Sequence, residues 1–196
     1  MLKHLKQIRI IGDVHNRHLD YLRLTQNSIP SIQIGDMGVG FPGVDFTNTP
    51  EHRFFRGNHD NPKKCREHPN YMGDFGYQKD LDLFWVSGAD SIDVAWRTEG
   101  VTWWPDEQLS YDDWIKVIDL YEQTKPSIVL SHDCPQIITD VLYHYPGHTI
   151  TRNGLQSMFE IHKPELWIYG HHHRSSEIVV EGTKFICLNE LEFIDI

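Results

Sequence analysis

Four consecutive residues, Gly57-Asn58-His59-Asp60, set an amide, an imidazole and a carboxylate side by side, directly after Phe54, Phe55 and Arg56. An asparagine carbonyl binds a hard metal ion without adding charge. A histidine one residue later faces another way and stays available to move protons. Gly-Asn is also a common turn dipeptide, so the tetrapeptide alone reads first as a turn. The same punctuation recurs, however, in Gly12-Asp13-Val14-His15, Gly35-Asp36, Ser131-His132 and Gly170-His171-His172-His173. In an extended segment alternate side chains share a face. Asp13 and His15 are then expected to converge on one metal ion and His171 and His173 on neighbouring ions, with His172 directed away. Collected, the clusters offer two carboxylates, one amide and four imidazoles besides His59, a mixed nitrogen and oxygen set suited to Mn, Fe, Ni, Co or Zn rather than Ca. One ion would be over-served. Two ions sharing Asp36 would each have about four protein ligands and keep positions open for water and substrate.

Each cluster ends an apolar run: Ile8, Ile10 and Ile11; Ile32 and Ile34; Phe54 and Phe55; Ile128, Val129 and Leu130; Leu166, Trp167 and Ile168. Runs of this length and type read as buried strands, so functional groups emerge at the carboxyl ends of five strands, where open α/β sheets bind ligands. The expected strands span 8–12, 31–35, 52–57, 127–131 and 165–170. A helix over 16–26, with Leu19, Leu22 and Leu24 on or beside one face, makes the parallel crossover to the second strand. The Gly- and Pro-rich loop Met37–Gly43 lies near the site as irregular backbone. Residues 61–80 carry too many breakers to assign. Leu83–Val86 and Ile92–Ala95 read as two closely spaced strands of a second sheet packed on the first. Trp103 and Trp104 are then loop-packing residues, with stacking on a substrate ring as the alternative. Ser110 caps an amphipathic helix carrying Trp114, Val117, Ile118 and Tyr121, which Pro126 ends. Helices near 135–144 and 154–162, a hairpin through Ile178 and Cys187, and a strand at Leu191–Ile194 complete the chain.

Composition narrows the function. The length of 196 residues fits one domain over 1–196, and 39% hydrophobic residues suffice for a sizeable core. A net charge of −10, from 18 basic and 28 acidic residues, argues against a grip on long nucleic acid, whose affinity comes from many Lys and Arg contacts. A small or locally bound substrate fits better. Cys65, Cys134 and Cys187 form no C-x-x-C pattern, which suggests neither a disulfide framework nor a thiolate zinc site, and a reducing cytoplasm is the simplest location. Lys3, Lys6 and Arg9 precede no unbroken apolar stretch, so neither a signal peptide nor a membrane span of roughly 20 apolar residues is expected.

In their order, D-x-H, G-D, G-N-H-[DE], H and G-H-x-H, these stations resemble the calcineurin-like metallophosphoesterases, from Gly12 to His173. The resemblance implies a four-layer α/β sandwich of two packed mixed sheets flanked by helices. It also implies two divalent metal ions, manganese favoured. Asp13, His15, Asp36 and His173 would hold one, and Asp36, Asn58, His132 and His171 the other. His59 would stand free near the leaving group with Asp60 orienting it, and Asn58 and Arg56 are the candidates for substrate contact.

Two cations about 3.5–4 Å apart would yield a bridging hydroxide near neutral pH and offset charge on the phosphoryl group, with His59 protonating the departing alkoxide. The implied activity is hydrolysis of a small phosphodiester or phosphomonoester, nucleotide-like in class. The protein serine/threonine phosphatases carry Asp-Arg-Gly soon after the equivalent Gly-Asp, whereas Asp36 is followed here by Met37-Gly38-Val39-Gly40. That phosphate-binding arginine is missing, and Arg17, Arg56, Arg97 and Arg174 are its candidate replacements. A metal-dependent nuclease and a catalytically silent metal-binding scaffold are the alternatives.

Overall fold

The computed structural model describes residues 7–26, 29–41, 49–144 and 147–196. Three short β-branched and aromatic runs, β1 (Arg9–Ile11), β2 (Ser31–Ile34) and β3 (His52–Phe55), lie parallel in one sheet. The C-terminal β10 (Phe193–Asp195) runs antiparallel along β1, giving the order β10-β1-β2-β3. The second sheet has the order β4-β5-β6-β7-β9-β8, from Phe75–Gln78, Leu83–Val86, Ile128–Ser131, Leu166–Tyr169, Thr183–Cys187 and Ser176–Val180 respectively.

Period-two alternation decides what each strand buries on each side. Ile10, Ile32, Ile34 and Phe55 of the first sheet meet Leu83, Leu130, Ile168 and Ile186 of the second in a shared core. Their neighbours face outward to helices. Ile11 and Phe54 pack with Tyr21 of α1 (His18–Leu24) and Cys65 of α2 (Pro62–Glu67). Val129, Trp167 and Phe185 pack with α3 (Tyr111–Thr124), α4 (Gln136–Leu142) and α5 (Ile150–Ile161). Helix, sheet, sheet and helix make the expected four layers. No helix among the described residues is long and apolar enough to cross a membrane, and all three cysteines are free and buried.

Several elements differ from the sequence reading. Residues 92–95 form no strand: Ile92 is 84% and Trp96 91% exposed, and the segment closes in a 3-10 turn at Val94–Trp96. The antiparallel partner of β5 is instead β4, inside the stretch whose prolines and glycines hid it. There Pro62 sits in the first turn of α2, where it is tolerated, and Asn61 caps the helix by accepting from Lys64 N. In α1 it is Tyr21 that is buried, while Leu19 is 76% exposed. Helix α5 begins at Ile150, four residues before Gly154, because Thr149 accepts from Arg152 N at its start. Gly154 sits inside it where a Cβ would strike the Trp114 ring.

Candidate metal centre

All the predicted clusters lie at carboxyl ends of strands: Asp13 after β1, Asp36 after β2, Asn58 after β3, His132 after β6 and His171 after β7. The structure brings them together across the two sheets. Ring and carboxylate atoms of Asp13, His15, Asp36 and His173 lie within 4.8 Å of one another, as do those of Asp36, His132 and His171. The means is not the alternation expected of an extended chain. His15, Asp36, His171 and His173 have left-handed backbones, with φ of 46°, 60°, 65° and 49°. His172 N donates to Gly170 O at 2.7 Å, so 170–173 is a tight turn. Turned backbones, and not a shared strand face, aim His171 and His173 at the cluster and His172 elsewhere.

The two aspartates are each held on one oxygen and left open on the other. Asp13 Oδ1 accepts from His171 N at 3.1 Å, and Asp36 Oδ1 from His59 N at 2.7 Å. Among the described residues, Asp13 Oδ2 and Asp36 Oδ2 are buried with no hydrogen-bond partner. Around these bare oxygens stand His15 Nε2, 3.6 Å from each, and His173 Nε2, 3.2 Å from Asp13. The two imidazole nitrogens face each other at 2.8 Å. Asp36 Oδ1 is 3.3 Å from His132 Nε2, which in turn is 3.1 Å from Asn58 Oδ1. Backbone approaches this closely only without side chains: a Cβ on Gly57 would strike the Asp36 carboxylate and the His132 ring, and one on Gly170 the Asp13 carboxylate.

An outer layer fixes these groups. His132 Nδ1 lies 2.9 Å from the Ile34 carbonyl, which holds its proton there and leaves Nε2 to the cluster. Asn58 Nδ2 donates to Ser91 Oγ at 2.9 Å, and Ser91 donates to Glu107 Oε2 at 2.6 Å, so the amide presents its oxygen inward. Glu190 Oε1 stands 3.5 Å from His173 Nδ1. Ser91, Glu107 and Glu190 carry no sequence motif, and only the folded geometry identifies them.

The electrostatics suit a cation. Burial disfavours the Asp13 carboxylate, but the neighbouring His15 and His173 rings outweigh it and hold the group ionised. Burial also opposes the Asp36 carboxylate, and the charge of His132 overrides it, keeping the group well below its usual range. Burial works against the charged forms of His15 and His132 too. Even so, Asp13 raises His15 to about 9, and Asp36 raises His132 to about 10. His171, dominated by burial, falls to about 3 and is neutral. The protons on His15 and His132 therefore sit where a bound ion would place its charge, and such an ion must displace them. Bare buried oxygens, neutral or deprotonable imidazoles and an oriented amide are a donor set that fits divalent transition metals.

Two assignments need correction. Arg56 does not reach the cleft as a substrate contact: its guanidinium is fully buried, with Nε on Asp74 at 2.6 Å and Nη1 on the Glu107 carbonyl. Asp60 does not orient the His59 ring. Its carboxylate accepts from Gly38 N at 2.7 Å, Val39 N at 2.8 Å, Gly57 N at 2.9 Å and Met37 N at 3.3 Å, which ties the loop after β2 to the turn after β3. Pro42 and Gly43 of that loop lie outside the described residues.

His59 instead meets Arg97, whose Nη2 contacts its Nε2. A guanidinium only donates, so His59 Nε2 accepts. Burial lowers the His59 pKa, against the pull of Asp36. Arg97, His59, Asn58, Asp36, His171 and His173 line one cleft of about 290 Å³. Phe41 lies nearly parallel to the His59 ring, centroids 6.4 Å apart, and Trp104 packs edge-on against Phe41 at 5.6 Å. Trp104 is buried, as its loop-packing role requires. Of the other arginines, Arg17 pairs with Asp20 and Glu190, and Arg174 lies over the Tyr143 ring.

The family model described as calcineurin-like phosphoesterase matches residues 6–175. No curated protein matches the sequence. Among solved structures, a putative 5′-nucleotidase from Staphylococcus aureus, in complex with alpha-ketoglutarate, has a similar fold, with a TM-score of 0.51 and 12% identity. The match covers 96% of this chain but half of that one, at 50%. The phosphopantetheinyl hydrolase PptH from Mycobacterium tuberculosis matches over 94% of this chain and 89% of its own, at 15% identity and a TM-score of 0.47. A predicted phosphoesterase from Streptococcus pneumoniae matches over 97% and 83%, at 11% identity and 0.43.

Proposed function

The chain belongs to the calcineurin-like phosphoesterase family, and from that premise we propose that it hydrolyses a small phosphomonoester or phosphodiester, nucleotide-like in class, with two divalent metal ions, manganese favoured. Asp13, His15, Asp36 and His173 would hold one ion, and Asp36, Asn58, His132 and His171 the other. The observation that carries this reading is the pair of buried, partnerless oxygens, Asp13 Oδ2 beside the imidazole nitrogens of His15 and His173, and Asp36 Oδ2 beside that of His15. Buried carboxylate oxygens without partners are costly in a fold that needs only stability, and a cation offsets that cost.

When bound, the ions would lower the pKa of water toward neutrality, giving hydroxide as the nucleophile, and offset charge growing on the phosphoryl group. The protein's own residues do the rest. Asp36 spans both ligand groups and sets their separation. Ser91 and Glu107 keep the Asn58 oxygen inward. Asp60 fixes the backbone on which Asp36 and His59 are carried. His59, at the cleft wall and outside both ligand groups, is placed to relay a proton to the departing alkoxide, taken up at Nε2 once Arg97 releases that nitrogen. Phe41, nearly parallel to the His59 ring and backed by the buried Trp104, offers an apolar surface for the alcohol, which supports a nucleoside-like group. A cytoplasmic location belongs to the same proposal, and long nucleic acid is not the expected partner.

The test is reconstitution. Metal-stripped protein reloaded with manganese, iron, nickel, cobalt or zinc is assayed on p-nitrophenyl phosphate, bis(p-nitrophenyl) phosphate and then nucleotides. Turnover of at least one ester, lost in chelator, is expected. A protein that binds the ions yet cleaves none of these is a scaffold, and the enzymatic reading fails.

A further inference from the structure

The sequence shows no phosphate-clamping arginine beside its motifs, which on its own favours a diester as substrate. The folded chain supplies one from outside them. Arg97 lies at the end of the exposed segment 92–97, yet its side chain is only 8% exposed, because it is folded back into the cleft. Asp93 takes its Nε at 2.7 Å, and the Thr102 carbonyl lies 3.3 Å from its Nη1. Those two contacts spend the outer edge of the guanidinium. The remaining amine, Nη2, is aimed inward at His59. The other arginine of the cleft, Arg152, is pinned through its Nε to Asp133 at 2.9 Å.

We propose that Arg97 binds a phosphoryl oxygen of the substrate and that this makes the site selective for phosphomonoesters. The inference rests on the phosphoester reading of the same cleft. A monoester carries three non-ester oxygens. If two are claimed at the metal centre, the third is free and charged, and a guanidinium on the far wall completes its surroundings. In a diester that third position belongs to the second alcohol, which gives Arg97 no anionic oxygen. Asp93 and Thr102 hold the guanidinium ready, so the segment 92–97 acts as a phosphate-binding arm. Once a phosphoryl oxygen takes Nη2, His59 Nε2 is released to face the leaving group.

Two measurements on manganese-loaded protein test this. Calorimetric titration with inorganic phosphate should show Arg97→Ala binding about 10–100-fold more weakly than wild type, and Arg97→Lys falling between them, with unchanged metal content and melting temperature. In kinetics, kcat/KM of Arg97→Ala should fall at least about tenfold further on p-nitrophenyl phosphate than on bis(p-nitrophenyl) phosphate. Equal losses on both esters, or phosphate binding indifferent to Arg97, overturns the proposal. If wild type cleaves neither ester but binds phosphate through Arg97, the reaction assigned to the site is wrong while the phosphate arm stands. Should Arg97→Ala unfold, Asp93→Asn serves instead: it frees the guanidinium from its anchor and is expected to weaken phosphate binding in the same sense, and an unchanged affinity counts against the arm.

Discussion

Two groupings of aspartate and histidine share the loops after β6 and β7, where adjacent residues go to different groupings. His132 and His171 turn toward Asp36, while Asp133 and His172 turn toward each other, with Cys134 beside them. By residue type both could bind metal. They differ in saturation. Asp133 Oδ1 meets Cys134 N at 2.8 Å and His172 Nε2 at 3.0 Å, its Oδ2 takes Arg152 Nε at 2.9 Å, and the His172 ring stacks on Tyr143 at 4.1 Å. Burial disfavours the Asp133 carboxylate, yet the His172 hydrogen bond and the Arg152 charge beside it keep it ionised. Nothing there waits for a partner. In the Asp13 and Asp36 grouping, each carboxylate keeps one oxygen bare. Ligand types nominate a site, and unspent lone pairs distinguish it from a structural brace.

Breaking the open grouping should have the largest effect. Asp36→Asn is expected to abolish turnover and to lose at least one bound ion, since two cations without the shared carboxylate repel across the site. Elemental analysis and assay of the same sample check both. Next is His59→Ala, for which both ions stay bound while turnover drops by about 10²–10⁴-fold. Loss of an ion with it would make His59 a ligand.

A third experiment separates the groupings by pH. In metal-free protein His15 titrates near 9 and His132 near 10, above the ordinary 6.5, so their contribution to stability is complete below about 6.5 and is lost as pH rises through 9 to 10. The melting temperature of metal-free protein should fall between pH 7 and pH 10. Metal-loaded protein, which needs both rings neutral, should show no such fall, and its metal affinity should rise over that window. Coincident curves for the two forms would count against the protons and the ions sharing one place.

The smallest effect on the metal centre is expected from the closed grouping. His172→Ala should keep both ions and most activity, as its direction away from the cluster implies. It is not the silent change that a residue merely facing elsewhere would give. Loss of the Asp133 contact should cost about 1–3 kcal/mol of stability, read by chemical denaturation, whereas His171→Ala and His173→Ala should each weaken metal binding. An ion lost from His172→Ala would merge the two groupings into one.

The strands and their order of ligands were legible because an apolar run followed by Asp, Asn or His states both burial and chemistry at once. Four-layer packing likewise follows from alternation such as Ile10 and Ile11, one toward each side. What stayed hidden depended on contacts distant in sequence. Arg97 reads as one of four candidate arginines, and only the fold singles it out by carrying it 38 residues back to His59. Ser91 and Glu107 act through the Asn58 amide and leave no spacing to detect. Arg56 misled for the converse reason: its place beside the motif suggested substrate, whereas Asp74, 18 residues on, claims it. The alternation argument for Asp13 with His15 and His171 with His173 named the right residues through the wrong geometry, since left-handed turns do the aiming.

Those left-handed turns set stability and activity against each other. A residue with a side chain held at positive φ costs the fold on the order of 1 kcal/mol or more, and glycine would relieve it. Selection for thermal tolerance alone would therefore favour glycine at Asp36 and His171, the positions where glycine deletes a metal-facing group. The histidines and the aspartate persist there against the local preference of the backbone, so a stability-driven redesign of this chain would dismantle the centre first.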